Sequence, residues 1–180
     1  GAICEYNNNL GFGKTKFYEF NAVQFTAADS LNFKSVLIPK DVADADNDGL
    51  QELLCSVNDS LYVVEQPSSN AYPSTIRYSL LSQGLYAARF ADTDSDGAQE
   101  ILAKDFRNYR VLEPNGTSYT VGPTLADDSP DYLGSISPRV LVEDYDGDGQ
   151  KEVAFGDFDG DLLNYEFNGS GYSQVFLDTT

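Results

Sequence analysis

Three copies of one acidic pattern, Asp-x-Asp-x-Asp-Gly-x-x-Glu, start at residues 44, 92 and 144. A repeat of about fifty residues constrains the fold more than any other feature, because each copy must be one structural unit packed on its neighbours. The likeness extends beyond the pattern. An apolar run precedes each copy (Val36 to Ile38, Leu85 to Phe90, Val140 to Val142) and another follows it (Leu53 to Cys55, Ile101 to Ala103, Val153 to Phe155). These runs are short, partly β-branched and bounded by turn residues, which predicts strands. A polar turn comes next, at Asn58 to Ser60, Arg107 and Asn108, and Asp157 to Asp161. A third strand then ends on an apolar residue and a glutamate, at Glu65, Glu113 and Glu166. Asn115-Gly116 and Asn168-Gly169 predict tight hairpins into a fourth strand, since Asn-Gly accepts the positive φ such a turn needs.

Each unit is therefore expected to be four short antiparallel strands, the size of a β-propeller blade. The expected division is a partial blade at 1–33 and three blades at 34–83, 84–135 and 136–180. In the first unit Ile3-Cys4 aligns with Leu54-Cys55 and Tyr18-Glu19 with Val64-Glu65, so its acidic loop would lie before residue 1. The expected architecture is all-β: an open segment of about three and a half blades from a larger ring of about seven. The last strand, Val175 to Thr180, is used within its own blade. Exposed blade faces should then be covered by the rest of the propeller or by further copies of the chain, with self-association as the expected behaviour.

Carboxylates at alternate positions of a tight loop converge on one centre. A hard cation such as Ca²⁺ takes six to eight oxygen ligands at such a centre. In the first loop Asp44, Asp46 and Asp48 offer side-chain oxygens, Leu50 its backbone carbonyl and Glu52 the closing carboxylate. Asp92, Asp94, Asp96, Ala98 and Glu100 hold the same places in the second loop, and Asp144, Asp146, Asp148, Gln150 and Glu152 in the third. Gly49, Gly97 and Gly149 permit the sharp turn. Up to three Ca²⁺ ions are expected. An EF-hand opens in the same way but closes on a glutamate at its twelfth position between two helices. The twelfth positions here are Cys55, Ala103 and Phe155, and the flanks are strand-like.

The pattern resembles the FG-GAP repeats of integrin α-subunit propellers and the related VCBS repeats of secreted bacterial proteins. The segment Val142 to Gly156 carries the acidic loop, the apolar strand after it and a Phe-Gly pair. The closing acid of FG-GAP repeats is usually Asp, where this chain has Glu. The resemblance implies a propeller with calcium in an inter-strand loop of each blade, in an extracellular adhesion or ligand-binding protein whose partner is a protein or a glycan.

Composition narrows the function further. With 29 acidic and 11 basic residues the net charge is −18, which disfavours binding to nucleic-acid backbones or anionic membranes. No apolar stretch reaches membrane-spanning length. With no histidine, the chain lacks an imidazole base and a His-ligated zinc site. Secreted propellers of this kind include polysaccharide lyases and hydrolases, so an enzyme is the competing reading, together with a purely structural subunit. Lyase chemistry needs a base near neutral pH and positive charge beside the substrate. The basic residues here are scattered, no catalytic residues are nominated, and a non-enzymatic binding module is the favoured expectation.

Several smaller features have plainer expectations. Asp157 to Asp161 reads as a solvated hairpin turn in preference to a fourth metal loop. Glu19, Glu65, Glu113 and Glu166 read as exposed strand ends in preference to a functional ring. Cys4 and Cys55 read as buried thiols of adjacent blades in preference to a disulfide. Asn58, Asn115 and Asn168 begin glycosylation-type triplets in predicted turns.

Overall fold

The computed structural model describes residues 2–7, 12–33, 37–81, 84–85, 87–127 and 136–178. Side chains of 2–7, 12, 13, 32, 33, 87 and 177 are left aside, so the expectation for Cys4 falls outside the described residues. Among these residues the chain is all-β, without helix. It forms one three-stranded and three four-stranded sheets. Within each sheet, consecutive strands pair antiparallel, and none of the four closes on itself among the described residues.

The chain divides into two compact units, Gly1–Gln83 and Gly84–Thr180. The first unit holds the sheet of β1 (Ala2–Asn7), β2 (Phe12–Phe20) and β3 (Phe25–Phe33), and that of β4 (Ile38–Ala43), β5 (Glu52–Val57), β6 (Ser60–Glu65) and β7 (Thr75–Leu80). Phe17, Leu37, Leu53, Cys55 and Val57 form the core between them, with Tyr72 stacked on Phe17 at 4.8 Å. Thr15 Oγ1 donates to the Leu37 carbonyl at 3.3 Å, so the polar atom carried into this core is satisfied. Every residue of β5 is buried, as expected of an inner strand covered on both faces.

The second unit holds β8 (Ala87–Ala91), β9 (Glu100–Lys104), β10 (Asn108–Asn115) and β11 (Ser118–Ala126), then β12 (Ile136–Glu143), β13 (Glu152–Asp157), β14 (Leu162–Phe167) and β15 (Tyr172–Asp178). Both sheets contribute to one core that includes Leu102, Tyr109, Leu125, Val153, Phe155 and Tyr165. Tyr109 and Phe155 approach to 5.0 Å between ring centres. Tyr109 Oη donates to the Ser137 carbonyl at 2.9 Å, and Tyr165 Oη to that of Ala126 at 2.6 Å. The tyrosines thus bury their rings while their hydroxyls find backbone acceptors.

Two local details differ from the sequence expectation. Val36 lies outside the described residues; from Ile38 the expected strand is β4, which runs on to Ala43 through Pro39. Its ladder shifts register between Pro39 and Asp41, and β12 shifts likewise between Ile136 and Val140, around Pro138. Both are edge strands, where a residue without an N–H removes no inner ladder bond. The hairpin expected on Asn115-Gly116 turns through Gly116 and Thr117, because Asn115 still pairs with Ser118. Gly116 takes the positive φ of 61°.

Candidate metal centres

The three acidic loops join β4 to β5, β8 to β9 and β12 to β13. They fold as copies of one conformation. The fourth residue of each is left-handed, with φ of 61° at Asn47, 64° at Ser95 and 82° at Gly147. The sixth is a glycine at 88°, 93° and 96°. A Cβ at Gly49, Gly97 or Gly149 would meet nothing within 4 Å, so backbone conformation and not space selects glycine there.

Carboxylates hold the turns by accepting backbone N–H groups. Oδ1 of the third-position aspartate accepts from the fifth residue: Asp46 from Asp48 at 3.3 Å, Asp94 from Asp96 at 3.1 Å, Asp146 from Asp148 at 3.0 Å. Oδ1 of the fifth accepts from the seventh, so Leu50, Ala98 and Gln150 each donate to Asp48, Asp96 and Asp148 at 2.8 Å. Oδ2 of Asp44 and of Asp144 accepts from Gly49 and Gly149 at 3.0 Å. These bonds bring together oxygens of Asp44, Asp46 and Asp48, of Asp92, Asp94 and Asp96, and of Asp144, Asp146, Asp148 and Glu152, each set within 4.8 Å. The closing glutamate joins the converging set only in the third loop.

The closing glutamates open the inner strands and are almost wholly buried, at 4%, 0% and 2% exposure for Glu52, Glu100 and Glu152. In each, Oε2 accepts the N–H of the loop's second residue: Ala45 at 2.5 Å, Thr93 at 2.6 Å and Tyr145 at 2.6 Å. Oε1 of each is buried and has no hydrogen-bond partner, as do Asp44 Oδ1 and Asp92 Oδ1. Burial raises the Glu52 carboxyl to about 7, helped by Asp46, Glu65 and Asp44 and opposed by the Ala45 N–H. Glu100 also rises to about 7 through burial, against the hydrogen bonds from Thr93 and with the charges of Asp94 and Glu113 adding.

Other residues at these loops were not marked as ligands by the sequence. Glu65 stands directly across the ladder from Glu52, and Glu166 from Glu152. Glu65 is 3% exposed and paired with Arg77, which corrects the expectation of an exposed strand end, whereas Glu19 is exposed as expected. Burial, then Asp94 and Asp96, raise the Glu113 carboxyl. The signal was available in the turn between β5 and β6: counting back from the two-residue loop Asn58-Asp59 sets Glu52 opposite Glu65.

Two longer-range contacts were not foreseen. Lys151 Nζ, from the third loop, lies 3.1 Å from Asp92 Oδ2 in the second. Asp127, at the end of β11, comes within 4.8 Å of Asp157 and Asp161 by one oxygen each. Asp157 Oδ1 accepts N–H bonds from Asp159, Gly160 and Asp161, so the hairpin turn is present. Its tip is solvated as expected, with Phe158 75% exposed, whereas its last residue, Asp161, is 3% exposed. Comparison with protein-family models finds no match, and comparison with curated proteins finds none either.

Proposed function

We propose that the three loops bind Ca²⁺ and that the chain is a segment of an FG-GAP/VCBS-type propeller, with one metal loop in each of its last three sheets. The observation that carries this reading is the closing glutamate. Three times, Oε1 of the closing glutamate is buried and given no donor, and in the third loop that glutamate converges with three aspartates. An unpaired buried carboxylate costs several kcal/mol, about what a cation in the loop would offset. The donor set is all oxygen, carboxylates with a seventh-position backbone carbonyl, which suits a hard cation. Calcium fits better than magnesium, because loops tied together by backbone bonds do not offer a small octahedral cage.

In this reading Asp44, Asp46, Asp48 and Glu52, with their counterparts, hold the ion, and the Leu50, Ala98 and Gln150 carbonyls complete the set. The ion supplies charge neutralisation and cross-links the end of one strand to the start of the next. The segment serves a binding module of an extracellular adhesion or ligand-recognition protein, stiffened where strands reverse. The consecutive antiparallel order of all four sheets supports blades, and the acidic surface suits extracellular calcium levels, where such modules bind at about 10⁻⁴–10⁻³ M. Isothermal titration of the chelator-stripped chain tests the metal, with a stoichiometry approaching three expected for calcium and weaker binding for magnesium. Absence of calcium heat at millimolar concentration overturns it. A glycan array and a pull-down, each run with and without calcium, test the recognition role.

A further inference from the structure

Lys151 is the eighth residue of the third loop, between Gln150 and Glu152. Its ammonium leaves its own loop and lies on the second. Nζ donates to the Asp92 carbonyl at 2.8 Å and to Asp92 Oδ2 at 3.1 Å. The two side chains are 31% and 18% exposed, so the pair is partly shielded from water. The eighth residues of the other loops are Gln51 and Gln99, both neutral, so the ammonium is not part of the repeat.

Asp92 is the first ligand position of the second loop. Its Oδ1 is buried with no hydrogen-bond partner, while its Oδ2 faces the ammonium. In the first and third loops the matching Oδ2 accepts a glycine N–H, so the backbone alone holds that carboxylate in place. In the second loop the matching oxygen takes the Lys151 ammonium. What the ammonium adds is a positive charge beside an oxygen that a divalent ion would use. The third loop differs in this respect: among the described residues no lysine or arginine forms an ion pair with its four converging carboxylates.

We propose that Lys151 is a resident cation of the second loop, lowering that loop's affinity for a divalent ion so that the third loop fills at lower calcium than the second. The inference rests on the calcium reading of the loops. A unit charge a few ångströms from a divalent ion at a half-exposed site changes affinity by about three- to tenfold. The gap should narrow as added salt screens the ammonium.

Calcium titration of the ¹⁵N-labelled full chain, followed at the amides of Gly97 and Gly149, reads the two loops separately. In the parent protein the Gly149 midpoint should come at lower calcium than that of Gly97. Lys151→Gln should bring the Gly97 midpoint down by about three- to tenfold and leave that of Gly149 within about twofold. Lys151→Met, which keeps the stem and loses the charge, should do the same, and Lys151→Arg should keep the parent order. A Gly97 midpoint unchanged or raised in both neutral variants overturns the proposal while the calcium reading stands. If neither glycine responds to calcium in any variant, the calcium reading fails and this proposal with it.

Discussion

The second and third loops share a backbone conformation and a ligand pattern, yet the chain treats their charge in opposite ways. In the third loop Asp144, Asp146 and Asp148 are exposed and converge with Glu152 on one point. In the second, Glu100 is fully buried and fixed by both the N–H and the hydroxyl of Thr93, at 2.6 and 2.7 Å, and Asp92 carries an ammonium from outside. The Thr93 hydroxyl also contacts that of Tyr172 on β15, so the second loop is built into the packing of two sheets. Nearly identical sequence patterns thus give one loop whose four converging carboxylates have no ion pair among the described residues and one that is partly balanced by protein. The fixed positions of the repeat set conformation, and its variable positions set electrostatics.

The comparison is broken most severely at the first ligand position. Asp144→Ala should abolish calcium binding at the third loop, costing more than the roughly 10–100-fold that loss of a supporting contact costs a metal site. Titration calorimetry should show one site fewer and circular dichroism an unchanged β signal. Asp92→Ala should remove the second site in the same way while the third persists; loss of all sites together would show that the loops are not separate units.

Glu100→Gln sharpens the contrast through its sign. It removes a buried charge, so in chelator at pH 8 the melting temperature should rise by several degrees, on the order of 1–2 kcal/mol. In millimolar calcium the same variant should melt lower than the parent. A shift of one sign in both conditions would show that the glutamate serves packing alone.

Acid should act in the same direction as that substitution. Glu52 and Glu100 are raised to about 7 from an ordinary value of 4.5, by burial first. A carboxyl whose folded-state pKa exceeds the unfolded value stabilises the fold when protonated. That contribution is complete below about pH 4.5 and is lost as pH rises through about 7. In chelator, melting temperature should fall between pH 5 and pH 8. In saturating calcium the fall should vanish, because the ion binds the ionised form. An effect of similar size is expected at the turns. Gly49→Ala, Gly97→Ala and Gly149→Ala should each cost about 1–2 kcal/mol by urea unfolding, alike in all three loops, since only backbone conformation opposes them.

Much of this was legible in the sequence because the information is local. Aspartates two residues apart before a glycine dictate their own turn, and Glu52, Glu100 and Glu152 follow at fixed spacing onto inner strands. Glu65 was misjudged because its burial depends on register across a hairpin. An apolar neighbour such as Val64 says nothing about which residue stands opposite. Lys151 and Asp92 lie 59 residues apart, and Asp127 lies far from Asp157 in sequence; such pairs arise only when two sheets pack. Strands ran beyond their expected bounds where prolines sit on edge strands, past Pro39 in β4 and from before Pro138 in β12, because an edge tolerates residues that strand composition rules exclude.

The central claim, that these loops are cation sites which complete the fold, is tested most directly by thermal unfolding of the full chain in chelator and in millimolar calcium. Calcium should raise the midpoint by several degrees, in steps that follow occupancy, since an ion that binds only the folded state stabilises it by mass action. Magnesium at equal concentration should raise it less. A midpoint identical in chelator and in calcium would contradict the claim and reduce the three loops to acidic turns.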